Sequence, residues 1–126
     1  EDLFERAGPE DAPMGLIAWG SVAVVVREAV DIALAEGIAV KLLAPKLLYP
    51  VAAPVYERFF RSVGRCVVVE QSYLGQLHKL LQMWVPVPAR FDSLARAGAR
   101  PFSPEEILGV IEAGAAAGVG GRGGES

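Results

Sequence analysis

Short apolar runs alternate with helix-length amphipathic segments along most of the chain. Residues 14–19 and 38–43 are almost continuously apolar, as is the middle of 65–70, and such runs are typical of strands buried on both faces of a parallel sheet. Between them, apolar residues recur at helical spacing, with Leu77 and Trp84 on a face predicted to pack on the sheet. The alternation predicts a three-layer α/β/α sandwich with an open, mostly parallel sheet of four to five strands. The predicted helices span residues 22–36, 54–62 and 74–84.

Capping residues mark the ends of two helices. Ser21 precedes the first helix as an N-cap, and Gly37 follows it as a left-handed stop. Ser103 and Pro104 suit the N-cap and first position of a last helix, 104–113, whose first turn is acidic, as the helix dipole favours.

The chain is predicted to have three parts. Residues 1–13 mix charge with glycine and proline without a period and are interpreted as the end of an interdomain linker. Residues 14–113 form the α/β domain, in which two prolines confine any strand within 85–91 to a sheet edge. Residues 114–126 are mostly glycine and alanine, and a flexible tail is predicted there because few large apolar groups offset the entropy of ordering.

Composition and charge exclude several classes of partner. Of the 126 residues 52% are hydrophobic and 21% are charged, and the net charge is −3. This charge gives no basic field for nucleic acid or an anionic membrane, so neither is an expected partner. No apolar run is long enough to span a membrane, and the acidic residues 1–11 do not resemble a secretory signal, so a cytoplasmic protein is predicted.

The chain lacks the residues of a self-sufficient catalytic or metal site. Cys66 is the only cysteine and lies in an apolar strand, so an inert buried thiol is predicted. A single cysteine does not hold an iron–sulfur cluster, which takes about four. His78 is the only histidine and has no second ligand at metal-binding spacing. No catalytic, cofactor-binding or metal-binding residue is therefore predicted.

The most polar loop at any predicted strand end follows residues 65–70. Ligands and contacts on open α/β sheets lie beyond the carboxyl ends of the strands, which makes this loop the main candidate interaction surface. Glu70 either hydrogen-bonds a neighbouring loop or a partner subunit, or accepts from nearby backbone N–H groups. The candidate residues are Glu70, Gln71, Ser72, Tyr73, Gly75 and Gln76.

Two further segments are candidates for interaction. Gly20 and Ser21 follow the first strand and form either a tight turn with an N-cap, which is the favoured interpretation, or an anion site at a helix N-terminus. Leu47, Leu48 and Tyr49 lie in a proline-bounded loop, where they pack either inside the domain or against another chain.

A series of motifs, in order along the chain, resembles one enzyme family. The first motifs are similar to the opening of a transketolase C-terminal-type domain, and the later ones narrow the resemblance to the alpha subunit of 2-oxoacid:ferredoxin oxidoreductases, covering roughly residues 15–111. The loop that contains Glu70 and Gly75-Gln76 is most similar to the 2-oxoglutarate branch of the family. The family often has an asparagine shortly after this glutamate, where the present sequence has Gln71-Ser72-Tyr73. The motifs are Leu16-Ile17-Ala18-Trp19-Gly20-Ser21, Glu28-Ala29, Glu36-Gly37, Leu47-Leu48 with Pro50, Val69-Glu70 with Gly75-Gln76-Leu77, and Arg100-Pro101-Phe102 with Pro104-Glu105-Glu106.

The resemblance implies a mixed five-stranded domain that organises an assembly and carries none of the family's catalytic residues. Thiamine diphosphate, Mg²⁺, iron–sulfur clusters and coenzyme A are implied for the full complex, held by other domains of the parent chain or by a beta subunit, with ferredoxin as electron acceptor. Two alternatives stay open. One is the C-terminal domain of another thiamine enzyme, and the other is a stand-alone small-molecule-binding module that uses the crevice between residues 20–21 and 70–76.

Overall fold

The computed structural model describes residues 3–48, 51–72, 75–96 and 101–124, with side chains described up to residue 115. Strands and helices alternate through these ranges, as the apolar pattern predicts. In chain order the elements are β1 (Phe4–Ala7), β2 (Met14–Ala18), α1 (Val22–Ala35), β3 (Val40–Pro45), α2 (Ala53–Phe60), β4 (Arg65–Glu70), α3 (Gln76–Trp84), β5 (Arg90–Ala95) and α4 (Pro104–Gly124).

One mostly parallel sheet organises the described residues. Its strand order is β1-β3-β2-β4-β5, in which β3, β2, β4 and β5 run parallel and β1 pairs antiparallel with β3. The predicted fold class is confirmed. From β2 the chain adds β3 on one side of β2, and it then crosses back to add β4 and β5 on the other side. The direction in which successive strands are added therefore reverses between β2 and β4. In doubly wound sheets this topological switch point is where ligands usually bind.

The two faces of the sheet are covered by different helices. On β2, Leu16 belongs to the core under α1 and α4, while Ile17 belongs to the core under α2 and α3. Leu42 and Leu43 divide in the same way on β3, because successive side chains of a strand point to opposite faces. Burial on both faces explains why these strands read as continuous apolar runs rather than as alternating ones.

The C-terminus of α1 explains why β3 begins two residues later than predicted. Gly37 has a φ of 88°, the left-handed conformation expected of a helix stop. The N–H groups of Gly37 and Ile38 then donate to the carbonyl oxygens of Leu34 and Ala33, both at 3.0 Å. Residue 38 is therefore part of the helix cap and does not join the sheet. At the other end of α1, Ser21 occupies the N-cap, but its side chain makes no capping hydrogen bond.

The N-terminus of α4 has the predicted N-cap. The backbone N–H of Glu106 donates to Ser103 Oγ at 3.2 Å, and the N–H of Ser103 donates to Glu106 Oε1 at 2.9 Å, which forms a reciprocal capping box. Arg96, just after β5, donates to both carboxylate oxygens of Glu106, the shorter contact being 2.7 Å. This hydrogen bond raises the pKa of Arg96 and ties the end of the sheet to the last helix.

The chain ends differ from the irregular backbone that the sequence predicts there. Residues 4–7 form an edge strand. A segment of four residues is too short for its periodicity to predict a strand. Helix α4 continues to Gly124 instead of ending at residue 113, and after Gly114 its extension has three successive alanines, the residue of highest helix propensity. Strand β5 lies at the predicted edge but starts at Arg90, after the two prolines. The division into linker, domain and tail stays a prediction.

Candidate interaction site at the carboxyl edge of the sheet

Glu70, the last residue of β4, is fully buried and fully engaged by donors of its own domain. Its exposed fraction is 0%. Oε1 accepts from Trp19 Nε1 at 3.1 Å and from the backbone N–H of Leu77 at 3.0 Å, while Oε2 accepts from the N–H of His78 at 3.0 Å. The carboxylate therefore accepts from nearby backbone N–H groups and also from the indole of the residue that follows β2. A contact with a partner subunit stays a prediction.

The entry of α3 explains how its backbone reaches Glu70. Gly75 precedes the helix with φ 63° and ψ 55°, a left-handed conformation that other residues adopt at a cost. Its N–H donates to Ser72 Oγ at 3.1 Å. A β-carbon at this position would lie 2.8 Å from Ser93 Oγ on β5. The tight turn aims the first N–H groups of α3 at the carboxylate, where the helix dipole also favours negative charge.

Trp19 joins the two sides of the topological switch point. It follows β2, whereas Glu70 ends β4, and these strands are parallel neighbours. The indole N–H spans the two strand ends in the place where a ligand crevice opens in other doubly wound sheets. Side chains of the domain thus occupy the central part of this edge.

A second set of contacts supports α3 from β5. The His78 ring stacks on Phe91, with centroids 4.5 Å apart and planes 12° apart, and its Nε2 lies 3.0 Å from the carbonyl oxygen of Phe91. Because a carbonyl accepts, this contact favours the tautomer protonated on Nε2. The N–H of Arg96 donates to the carbonyl oxygen of Glu70 at 3.0 Å. The site is a rigid junction of β2, β4, β5 and α3.

The described residues supply structural hydrogen bonds rather than reactive groups. Within the described ranges, the donors to the Glu70 carboxylate are N–H groups of the domain. Cys66 is fully buried, and burial raises the pKa of its thiol, as expected of an inert core cysteine. Across the described ranges, no three His, Cys, Asp or Glu side chains are grouped as metal ligands. No helix in the same ranges is long and apolar enough to cross a membrane.

Comparison with known proteins identifies the family. The sequence profile of the pyruvate:ferredoxin oxidoreductase core domain II matches residues 12–107, which is most of the chain. The chain belongs to this family. The matched region contains the four parallel strands and α1 to α3 and ends in the first turn of α4, while β1 lies before it. The family predicted from the motifs is confirmed.

Relatives of this core domain II chain are 2-oxoacid:ferredoxin oxidoreductases. The alpha subunit of 2-oxoacid:ferredoxin oxidoreductase 2 from Aeropyrum pernix is 28% identical over 105 residues, which cover 83% of this chain and 16% of that subunit. A solved 2-oxoglutarate:ferredoxin oxidoreductase from Magnetococcus marinus, with 2-oxoglutarate, coenzyme A and succinyl-CoA bound, superposes with a TM-score of 0.82 at 33% identity, covering 87% of this chain and 19% of that one. The chain thus spans about one-sixth of the curated relative's length.

The likeness of this core domain II to transketolase concerns the fold alone. A split-gene transketolase, solved as an inactive tetramer of beta subunits, superposes with a TM-score of 0.61 at 16% identity, covering 86% of this chain and 40% of that one. This agrees with the predicted transketolase C-terminal-like architecture.

The other candidate polar residues with described side chains are more exposed than Glu70. Gly20 and Ser21 are exposed, and Gly20 lines a shallow cleft of about 520 Å³ between α1 and the β1 edge, where Arg27 and Lys46 also lie. Of the polar loop, Gln71 and Ser72 are half-buried and Gln76 is exposed. Tyr73 and Tyr49 lie outside the described residues.

Exposed apolar side chains lie in the predicted loop and also at a place that the sequence did not indicate. Leu47 is 56% exposed, whereas Leu48 packs partly against the core under α2. Trp84 was expected to pack on the sheet, but it is 54% exposed, as is its neighbour Met83 at 76%. The buried row of α3 continues instead into Val85, so the expectation for Trp84 was wrong.

Proposed function

We propose that this chain is a non-catalytic assembly domain in the alpha subunit of a thiamine-dependent 2-oxoacid:ferredoxin oxidoreductase. The complex would oxidatively decarboxylate a 2-oxoacid to an acyl-CoA and reduce ferredoxin, in the cytoplasm. One observation carries the assembly role. The most polar group at the carboxyl edge, Glu70, is buried and bound by three N–H donors of its own domain. It stabilises a junction rather than facing a substrate.

The cofactors of the proposed complex would be held outside this chain. Thiamine diphosphate, Mg²⁺, iron–sulfur clusters and coenzyme A are implied at the level of the complex. The residues described here do not fit an iron–sulfur cluster, because Cys66 is the only thiol and is buried. Among the described residues, no three His, Cys, Asp or Glu side chains are grouped as metal ligands. No step of the reaction is therefore assigned to residues of this domain.

The substrate that we favour is 2-oxoglutarate. The support is the Magnetococcus marinus 2-oxoglutarate:ferredoxin oxidoreductase, which is 33% identical over the shared domain, together with the Glu and Gly-Gln loop. Since the chain spans a small part of its relatives, this choice rests on the domain's similarity and is tested by activity.

The contact surfaces that we propose are the exposed apolar side chains. Leu47 follows the carboxyl end of β3, and Met83 and Trp84 end α3. Tryptophan and methionine are enriched at protein interfaces, and a half-exposed tryptophan is a frequent energetic centre of one. We assign these residues to contacts with other domains of the parent chain or with the beta subunit.

The first experiment co-expresses the parent chain with the partner subunit and measures reduction of a viologen dye. We expect 2-oxoglutarate to support reduction in the presence of coenzyme A, with pyruvate as the comparison acid. Reduction that requires both chains supports the proposal, and the preferred acid identifies the branch. If no 2-oxoacid supports reduction in any combination of subunits, the oxidoreductase proposal is withdrawn.

The assembly role is tested by Trp84→Ala in the parent chain. We expect less of the partner subunit to co-purify, because truncating a buried interface tryptophan typically costs 2 kcal/mol or more, which is about thirtyfold in affinity. Glu28→Gln, at an exposed position of α1, is the matched control and should assemble normally. Normal assembly of both variants would argue against this surface.

The two alternatives make different predictions. A domain of another thiamine enzyme would support a ketol transfer reaction rather than dye reduction. A stand-alone binding module would bind a small molecule between residues 20–21 and 70–76, and the indole of Trp19 bound to Glu70 argues against a crevice there. A saturable change in tryptophan fluorescence on addition of a metabolite would favour the binding module.

A further inference from the structure

Lys41, the second residue of β3, is a cation buried inside the domain. Its exposed fraction is 4%, and it lies on the face of the sheet that α2 covers. Nζ donates to the carbonyl oxygen of Glu10 at 2.7 Å and lies 4.6 Å from the centroid of the Phe59 ring. An ammonium has three N–H donors. Within the described residues, this one donates to one carbonyl oxygen and faces one aromatic ring.

The charge of Lys41 is incompletely compensated. In the described part of the chain, no carboxylate oxygen lies within 4 Å of its ammonium. Burial lowers the pKa of Lys41, and the nearby carboxylates of Glu10 and Asp11 raise it by less. Burying a charge without a close counter-charge is costly. An additional anion beside this ammonium would therefore be favourable.

A cleft lies where such an anion would bind. It has a volume of about 350 Å³ and is lined by Lys41 together with residues of β1, α2 and the loop that follows β1. Small-ligand pockets begin at about this size. Arg58 contributes a second cation from α2, while Val55 and Phe59 contribute apolar walls. Among the described residues, Arg6 and Glu10 also line the cleft.

The floor of the cleft is rigid. The Glu10 carbonyl oxygen that accepts from Lys41 also accepts from Ser62 Oγ at 3.3 Å, and Ser62 Oγ lies 2.8 Å from the carbonyl oxygen of Ala12. The loop is thereby tied to both β3 and the end of α2. A preorganised cation of this kind binds an anion with little loss of conformational entropy.

We propose that this cleft is a binding site for a small oxyanion, a carboxylate or phosphate group, with Lys41 as the buried cation and Arg58 as the cation at its mouth. The site lies apart from the Glu70 junction and does not depend on the proposed assembly role. Arg58 supplies a planar set of donors that suits either kind of oxyanion.

Binding is tested by titrating the 126-residue chain with inorganic phosphate, and separately with acetate, at constant ionic strength balanced by chloride. A saturable rise in melting temperature is the expected result, because a ligand of the folded state stabilises it by mass action. The two probes distinguish a phosphate from a carboxylate preference. A rise that does not saturate with either probe overturns the proposal.

Two variants and a control locate the site. Lys41→Met keeps the length of the side chain and removes the charge, so the saturable response should disappear, while loss of a buried charge to an apolar group usually leaves the fold intact. Arg58→Gln should weaken binding about tenfold, the effect of one charge-assisted contact. Arg27→Gln removes an arginine outside the cleft and should leave binding unchanged. Wild-type affinity in Arg58→Gln overturns the proposal, even if Lys41→Met fails to fold.

Discussion

Replacing Glu70 with glutamine is expected to destabilise the domain substantially. The substitution keeps the size of the side chain and removes its charge. One amide oxygen can still serve Trp19 Nε1 and the N–H of Leu77, but the amide nitrogen then faces the N–H of His78, which now donates to Oε2 at 3.0 Å. Glu70→Gln therefore leaves one buried donor unpaired and weakens two charge-assisted hydrogen bonds.

The magnitude follows from these three contacts. An unpaired buried donor costs about 1–3 kcal/mol, and losing the charge at the N-terminus of α3 costs roughly a further 0.3–1 kcal/mol. The lower desolvation cost of an amide offsets part of this loss. We expect a loss of about 2–3 kcal/mol for Glu70→Gln. Glu70→Ala should cost more, about 3–5 kcal/mol, because all three donors lose their acceptor and a cavity forms.

Urea unfolding of the chain, followed by circular dichroism, measures this loss. A decrease of about 2–3 kcal/mol corresponds to a melting temperature roughly 8–15 °C lower for a domain of this size. Glu28→Gln, exposed on α1, is the control and should change stability by less than about 0.5 kcal/mol. Trp19→Phe removes the indole donor, and a double-mutant cycle with Glu70→Gln should give a coupling of about 0.5–3 kcal/mol.

Two results would refute this account of the junction. The first is a Glu70→Gln variant as stable as wild type, which would mean that the carboxylate is not buried among donors in solution. The second is strict additivity of the changes at Trp19 and Glu70, which would mean that the indole does not bind the carboxylate. Loss of stability in Glu28→Gln of equal size would point to a general charge effect instead.

Three further predictions concern the packing around the core. Gly75→Ala should cost about 1–2 kcal/mol, since φ is 63° and the new β-carbon would lie 2.8 Å from Ser93 Oγ; in urea unfolding, a Ser93→Gly background should restore only part of the loss. Burial raises the pKa of Tyr56 from 10.0 to about 12, so the stability that this burial gives below pH 10 should fall by up to about 2 kcal/mol as the pH rises toward 12. When wild type and Tyr56→Phe are compared by urea unfolding at each pH, the variant should lack this part of the decline. Ser103→Ala should cost about 1 kcal/mol in the same assay, through loss of the Oγ acceptor for the N–H of Glu106, while a loss below 0.3 kcal/mol would contradict the capping role.

The strands and helices of the core were predictable from local chemistry. Strand β4 begins and ends where the apolar run 65–70 indicates, and Gly37 and Ser103 mark helix ends as their conformational preferences require. These features depend on a few neighbouring residues. The same local information places Glu70 at the carboxyl end of a strand, which made it a candidate.

The contacts of the candidate site depend on information that is not local. Trp19 and Glu70 are 51 residues apart, and their hydrogen bond requires β2 and β4 to be neighbours, which the strand order decides. Trp84 has the spacing of a buried residue, yet it is 54% exposed, and which helix residues are covered depends on tertiary packing. Lys41 stands in an apolar run, and nothing in the sequence indicates that a carbonyl from the loop before β2 would reach its ammonium.

Helix α3 connects the buried Glu70 junction to the exposed side chain of Trp84, and the proposed assembly role rests on both. The N–H groups of Leu77 and His78 bind Glu70, and Trp84 ends the helix about 10 Å from Leu77 at 1.5 Å per residue. Because a short helix holds its direction mainly through tertiary contacts, loss of the Glu70 carboxylate should disturb the placement of Trp84. Glu70→Gln should therefore reduce both domain stability and subunit assembly, whereas Trp84→Ala should reduce assembly alone. If Glu70→Gln lowers stability and leaves assembly intact, the Glu70 junction and the Trp84 interface are independent. The placement of Trp84 then does not depend on the hydrogen bonds at the start of α3.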